Sequence, residues 1–256
     1  MIELIRNWNR KRLESRHHHN KLISKLESKI DALTKQVHWL QQAFLDNGLS
    51  NLKLRVEVLN CPKHYEYLLF SIRPGDIVID GGANLGLFSD LMLELGAKVF
   101  AFEPNPALTY HLNKKYLNNE NLTLFQKAIS VKDENLVFSM PMNSSFIEQS
   151  QGGSFVFDLS NQAKFDYHVK AIDFCKFIDS LLEETQQEKV KLIKLDIEGA
   201  EFEVLNQIID QEAYKKFDCL LVETHERFFE DGQQKLSLIK EKMEKKNITN
   251  IRLDWI

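Results

Sequence analysis

Residues 77–91, IVIDGGANLGLFSDL, restrict the possible folds more than any other stretch of the chain. Ile77, Val78 and Ile79 are β-branched, the residue type that suits a buried strand. Asp80 ends that run, and Gly81, Gly82, Ala83, Asn84, Leu85 and Gly86 form a loop. Leu87, Phe88, Leu91 and Leu95 then recur at helical spacing. A strand, a glycine loop and a helix in that order bring backbone close to whatever binds at the turn, because glycine has no Cβ to hold it away.

The alternation continues. Strands are expected at 98–102, 122–126, 190–195 and 217–223, and helices at 86–95, 106–117, 174–183, 200–210 and about 233–245. "NLVFSM" and "HVKAID" read as further strands and "NITNIRLDWI" as a last one. Upstream, "LKLRVEVL" alternates like a strand, and "HYEYLLFSI" has a helical pattern that stops at Arg73, Pro74 and Gly75. Repeated βα units imply an α/β, Rossmann-like domain over 48–256, with a parallel sheet and helices on both faces.

Residues 1–47 differ. They carry nine Lys and Arg against five Asp and Glu, while the whole chain is at −4. Ile23, Leu26, Ile30, Leu33, Val37, Leu40 and Phe44 step by three and four, an a/d seam. This predicts a long helix, a coiled coil and a homo-oligomer through residues 22–45; the alternative is one amphipathic helix folded back on its own domain. Arg6, Arg10, Lys11, Arg12 and Arg16 make a basic face for peripheral membrane contact, or simply a solvated helix end. His17, His18 and His19 would point about 100° apart on a helix, so they do not converge on one ion.

A net charge of −4 gives no general affinity for nucleic acid or an anionic membrane. Cys61, Cys175 and Cys219 show no metal or redox spacing, which suggests a reducing compartment and a cytoplasmic location. The first 19 residues lack the apolar core of a signal peptide. No run of about 18 apolar residues is present to span a membrane.

In such sheets ligands bind at the carboxyl ends of the strands. Asp80 and the glycine loop sit there. So does Glu103, about 20 residues beyond the glycine turn, where an acid accepts hydrogen bonds from a ribose. Asp196 and Glu198 follow the strand at 190–195, and Glu223 and His225 end the strand at 217–223. A nucleoside pocket can serve NAD or S-adenosylmethionine. Gly81-x-Ala83-x-x-Gly86 is a weakened dinucleotide fingerprint, and Asp80 would repel a pyrophosphate. The ammonium and sulfonium of S-adenosylmethionine tolerate that carboxylate. No P-loop Lys-Ser/Thr follows the glycines.

The motifs D-G-G-A-N-L-G (80–86), F-E-P-N-P (102–106), K-A-I-S (127–130), K-L-D-I-E-G-A-E-F-E-V-L (194–205) and L-V-E-T-H (221–225) occur in order. Together they resemble the FkbM family of S-adenosylmethionine-dependent O-methyltransferases, over roughly residues 70–226. The resemblance implies a class I methyltransferase fold. It also implies a hydroxyl acceptor on a sugar, a lipo-oligosaccharide or a polyketide-type metabolite. By position it assigns Asp80, Gly82, Asn84 and Gly86 to the cofactor loop, Glu103 to the ribose and Ala128 to the adenine. Asp196 is assigned to both the methionine end and the substrate. Class I sheets usually finish with a helix and an antiparallel strand pair, and only one terminal strand is apparent here.

A hydroxyl is a poor nucleophile, so a base would add about 10²–10⁴-fold to the rate. Asp196, Glu198, Glu223 and His225 qualify. In an extended segment Glu223 and His225 point the same way, and His225 is the natural base at neutral pH; a structural histidine is the alternative. The catalytic set is therefore taken as Asp196, His225 and Glu223. Lys194 pairs with Asp196, and Glu201 suits a helix start. These carboxylates with His225 are the ligand types of Mg²⁺ or Mn²⁺, but no tight spacing compels a metal and none is assigned. Ser154, in "QGGSFVF", reads as a substrate-loop residue or, more simply, as part of a glycine hairpin turn, and the region 141–168, rich in Ser, Gln, Asn and Phe, reads as a substrate cover.

The favoured function is O-methylation of a sugar hydroxyl in a surface glycan or its precursor. A small secondary metabolite is the alternative acceptor. A dinucleotide oxidoreductase is disfavoured by Asp80, and a non-catalytic scaffold by the intact loop. The signature of base-amine methylation is absent after the strand at 190–195, and no basic stripe for RNA or DNA is present.

Overall fold

The computed structural model of the chain describes residues 62–141 and 164–255. The expected N-terminal helix, coiled coil and basic face, the strand at 52–59 and Ser154 lie outside the described residues. A 3₁₀ turn at Lys63–Tyr65 leads to α1 (Glu66–Phe70), β1 (Ile77–Gly81), α2 (Leu87–Glu94), β2 (Lys98–Phe102), α3 (Pro106–Lys115) and β3 (Leu122–Phe125). Next come β4 (Ala128–Ser130), β5 (Glu134–Pro141), β6 (Lys164–Asp173), α4 (Phe174–Thr185), β7 (Val190–Leu195) and α5 (Glu201–Asp210). The last elements are β8 (Phe217–Val222), α6 (Gly232–Lys245) and β9 (Ile251–Arg252).

The main sheet has the order β3-β2-β1-β7-β8-β9, and every pairing in it is parallel. Its strands read as continuous apolar runs because both faces are covered. Ile77, Ile79, Phe102, Ile193 and Leu195 share one core with Phe174 and Ile178 of α4 and Val204 and Ile208 of α5. Phe177 of α4 meets Phe102 and Phe125 edge-on at 4.9 and 5.5 Å. The alternate residues Val78, Val99, Ala101 and Leu192 are also buried, and the pleat turns them to the other face, where α2 and α3 lie against β1, β2 and β3. Helices therefore cover both faces. The chain winds outward in opposite directions from β1 and β7, and the gap between those strands is where such a sheet takes a ligand.

Two expectations change. "NITNIRLDWI" contributes only Ile251–Arg252 as strand, parallel to β8, and no antiparallel strand joins the main sheet among the described residues. The side chain of Asn250 donates to the carbonyls of Tyr214 and Phe217 at 2.8 and 2.9 Å and holds the entry to β9. Beyond it, Trp255 is buried edge-on against Phe88 of α2, and the Tyr65 hydroxyl donates to Asp254. These contacts take the chain off the sheet edge.

The region expected as a substrate cover begins and ends in strand. Residues 164–168 belong to β6, the centre of a second, three-stranded sheet in the order β4-β6-β5. β4 runs parallel to β6 and β5 antiparallel. Phe138, Tyr167, Val169 and Ala171 alternate into its core with Ala128, as a period of two requires. Residues 142–163 lie outside the described residues. Among the described residues no helix is long and apolar enough to cross a membrane.

Candidate active site

At the carboxyl end of β1 the backbone turns sharply. The amides of Gly82 and Ala83 both donate to the Phe102 carbonyl, at 3.0 and 2.9 Å. Gly82 has φ +76°, and a Cβ there would stand 1.8 Å from the Asp196 carbonyl oxygen. Asn84, with φ 50°, takes a left-handed conformation that asparagine tolerates. Its amide donates to Glu103 Oε2 at 2.8 Å, and that of Asn105 donates to Oε1 at 2.9 Å. The E-P-N-P stretch shapes the next helix start: Asn105 Oδ1 caps α3 by accepting from Ala107 N at 2.9 Å, and Pro106 opens the first turn. Burial pushes the Glu103 carboxyl up to about 7, against the pull of those two amides and the Lys194 ammonium.

Gly82, Asn84, Glu103, Ala128 and Asp196 line one open cavity at this edge. A side-chain-free turn at Gly82 and a buried carboxylate at Glu103 fit the polar ribose of S-adenosylmethionine. Two lining residues were not foreseen. Phe138 and Tyr167 form a wall from the second sheet, their rings 5.7 Å apart. The sequence signal was the strand alternation around them, but nothing local indicates that this small sheet faces the cofactor loop.

Two expected loop residues do not line the cavity. Asp80 is completely buried; its Oδ2 accepts from Ser89 Oγ at 2.7 Å, and Lys194 Nζ is 3.5 Å from Oδ1. Lys194 also donates to the Gly82 carbonyl at 2.8 Å and lies 3.3 Å from Asp196 Oδ2. Burial alone would lower the Lys194 pKa, but Asp196 and Asp80 override it and hold the ammonium above its ordinary value. Asp80 thus acts through Lys194 on the turn. Gly86, φ +79°, serves helix packing: a Cβ would meet the Tyr116 hydroxyl at 2.2 Å, and that hydroxyl donates to the Gly86 carbonyl at 2.8 Å.

The acceptor end is assembled from β7 and β8. After β7 the turn at Asp196 to Gly199 places Glu198 at φ 57° and Gly199 at φ 111°. Glu201, completely buried, accepts from the amides of Ile197 at 2.9 Å and Gly199 at 2.8 Å. Its Oε1 also lies 3.0 Å from His225 Nδ1. His225 Nε2 then faces Glu198 at 3.5 Å, Glu223 at 3.6 Å and Asp196 at 3.8 Å. The structure thus brings Asp196, Glu223 and His225 together as expected. They do not converge by strand alternation: β8 ends at Val222, and His225 caps a 3₁₀ turn at Glu226–Phe228.

The charges around His225 weigh against the expected base role. Burial would lower the His225 pKa, but the hydrogen bond and charge of Glu201, with Glu198 and Asp196, raise it to about 9. At neutral pH His225 is therefore an imidazolium and has no lone pair with which to take a proton. Burial raises Glu198 to about 7, against the pull of His225. Glu223 is raised by burial and the Asp196 charge, and Arg227, 3.3 Å away, opposes that. Asp196, Glu198 and His225 also offer ligand atoms within 4.8 Å of one another. Their types suit a divalent ion, which would bind the neutral imidazole and displace its proton.

A model of the methyltransferase FkbM domain matches residues 80–249. Methyltransferase 1 of Beauveria bassiana (strain ARSEF 2860) is 28% identical over 194 residues, covering 67% of this chain and 74% of that protein. Methyltransferase sdnD of Sordaria araneosa is 27% identical over 183 residues, covering 62% of this chain and 70% of that one. Among solved structures, the 1,6-didemethyltoxoflavin-N1-methyltransferase of Burkholderia thailandensis, bound to 1,6-didemethyltoxoflavin and S-adenosylhomocysteine, shares 13% identity at a TM-score of 0.20. That match covers 59% of this chain and 78% of that one. With the family model running from the end of β1 to just beyond α6, this chain belongs to the FkbM methyltransferase family.

Proposed function

We propose that this methyltransferase moves the methyl group of S-adenosylmethionine to a hydroxyl oxygen, and that the acceptor is a sugar of a surface glycan or its precursor. The observation that carries the oxygen acceptor is the group of Asp196, Glu198, Glu223 and His225 beside the cofactor cavity. An alcohol must lose a proton during transfer, and titratable groups beside the cavity would give that proton somewhere to go. The cofactor supplies an activated methyl on sulfur. The chain's own residues hold and orient: Glu103 is placed for the ribose hydroxyls, Phe138 and Tyr167 wall the cavity, and Lys194 ties Gly82 to Asp196. Aligning the acceptor oxygen with the methyl is itself a large part of the rate.

A glycan acceptor is supported by the family resemblance, and a small hydroxylated metabolite remains the second reading. The same proposal includes a cytoplasmic homo-oligomer joined through residues 22–45, with the basic N-terminus available to a membrane surface. Calorimetric titration with S-adenosylhomocysteine, beside NAD, tests the cofactor; binding of NAD alone would overturn it. Labelled methyl transfer to sugars, small phenols and amines tests the acceptor, and transfer to amines alone would overturn the oxygen assignment. Light scattering of the chain without residues 1–47 tests the oligomer, which an unchanged mass would dismiss.

A further inference from the structure

We propose that Glu198 is the group that takes the proton from the acceptor hydroxyl, with Glu201 and His225 behind it as positioning residues. This rests on the hydroxyl-acceptor reading. Of the four groups gathered at this end, Asp196 and Glu198 line the cavity, while Glu223 and His225 do not. The His225 side chain is 2% exposed, that of Glu198 25%. Asp196 already has one carboxylate oxygen, Oδ2, engaged by the buried Lys194 ammonium at 3.3 Å.

The backbone points to the same residue. Glu198 holds φ 57°, a conformation that costs a residue with a Cβ and persists only where the surroundings impose it. Glu201 imposes it by accepting from the amides on either side, Ile197 and Gly199. The same buried carboxylate fixes His225, whose Nε2 is 3.5 Å from Glu198 Oε2. The charged groups around Glu198 are Asp196, Glu201, Glu223 and His225. Between them and burial, Glu198 titrates at about 7, where a base both holds and releases a proton at neutral pH. In the step, a lone pair of the acceptor oxygen forms the C–O bond and the C–S pair returns to sulfur as a neutral thioether. The hydroxyl proton passes to the Glu198 carboxylate and from there to solvent through the open side of the cavity.

The test compares wild type, Glu198→Gln, Glu201→Gln and His225→Asn in labelled methyl transfer to methyl glycosides, with calorimetry for S-adenosylhomocysteine. Glu198→Gln is expected to lose about 100-fold or more in kcat at unchanged cofactor affinity, and to lose the rise in rate between pH 5 and 7. Glu201→Gln is expected to bring the His225 imidazole titration, read by NMR, down from about 9 towards 6.5, with kcat lowered at unchanged KM. A Glu198→Gln enzyme within threefold of wild type, or His225→Asn costing more than Glu198→Gln, would overturn the assignment. Carboxyl NMR of glutamate-labelled wild type needs no acceptor: a Glu198 midpoint at its ordinary 4.5 rather than about 7 also overturns it. Cofactor binding without transfer to any hydroxyl would instead remove the oxygen-acceptor reading, and the base role with it.

Discussion

At one end of the cavity a ligand meets backbone, and at the other it meets side chains. The nucleoside end is a turn so close to β7 that Gly82 has no room for a Cβ, closed by one carboxylate held between two amides. The acceptor end is three carboxylates within 3.5–3.8 Å of one imidazole nitrogen. Backbone geometry is rigid, so the first end suits a cofactor that never varies. Clustered titratable groups respond to pH and to one another, so the second suits proton transfer and can be retuned by single substitutions.

Gly82→Ala should break the rigid end outright. Its Cβ would lie 1.8 Å from the Asp196 carbonyl, at φ +76°. We expect a stability loss of about 3 kcal/mol and more than 100-fold weaker S-adenosylhomocysteine binding, read by thermal unfolding and calorimetry. A tight-binding Ala variant would show that the turn is looser than described. Glu103→Gln should weaken the cofactor by about 10–100-fold, the loss of hydrogen bonds to a charged group.

Because Glu103 titrates at about 7, wild-type affinity should fall as pH drops below 7, by up to about tenfold per unit. A flat profile down to pH 5.5 would mean that the ionised carboxylate does not hold the ribose. Tyr167→Ala should cost about fivefold in cofactor affinity through lost contact area, and no change would remove the second sheet from the site.

The smallest effect concerns stability at the acceptor end. The folded-state pKa of His225 is raised from 6.5 to about 9. Its contribution is therefore fully present below about pH 6.5 and is lost as pH rises through about 9. The melting temperatures of wild type and His225→Gln should converge by a few degrees between pH 7 and 10. A constant gap would mean that the imidazolium is not what the carboxylates hold.

The sequence disclosed the nucleoside end more fully than the acceptor end. Gly82, Asn84 and Glu103 sit in local motifs whose spacing carries their geometry, and the structure places all three on the cavity. Asp80 and Gly86 were legible as loop residues but not in their roles. Asp80 is claimed by Ser89 and Lys194, and Gly86 by the Tyr116 hydroxyl, and those partners come from other turns of the chain. His225 was legible as a candidate, but its charge was not. The charge depends on Glu201, 24 residues earlier, and on carboxylates that only folding brings near.

By itself the sequence determined the βα order, the glycine turn and the family, because strand and helix periods and turn chemistry are local properties of the chain. Tertiary structure alone decided that β5 and β6 form a separate sheet whose Phe138 and Tyr167 wall the cavity, and that β9 runs parallel. It also decided that Glu198 faces the cavity while His225 lies buried behind it. Each of those outcomes depends on distances and dielectric surroundings between residues far apart in the chain, and no local pattern encodes them.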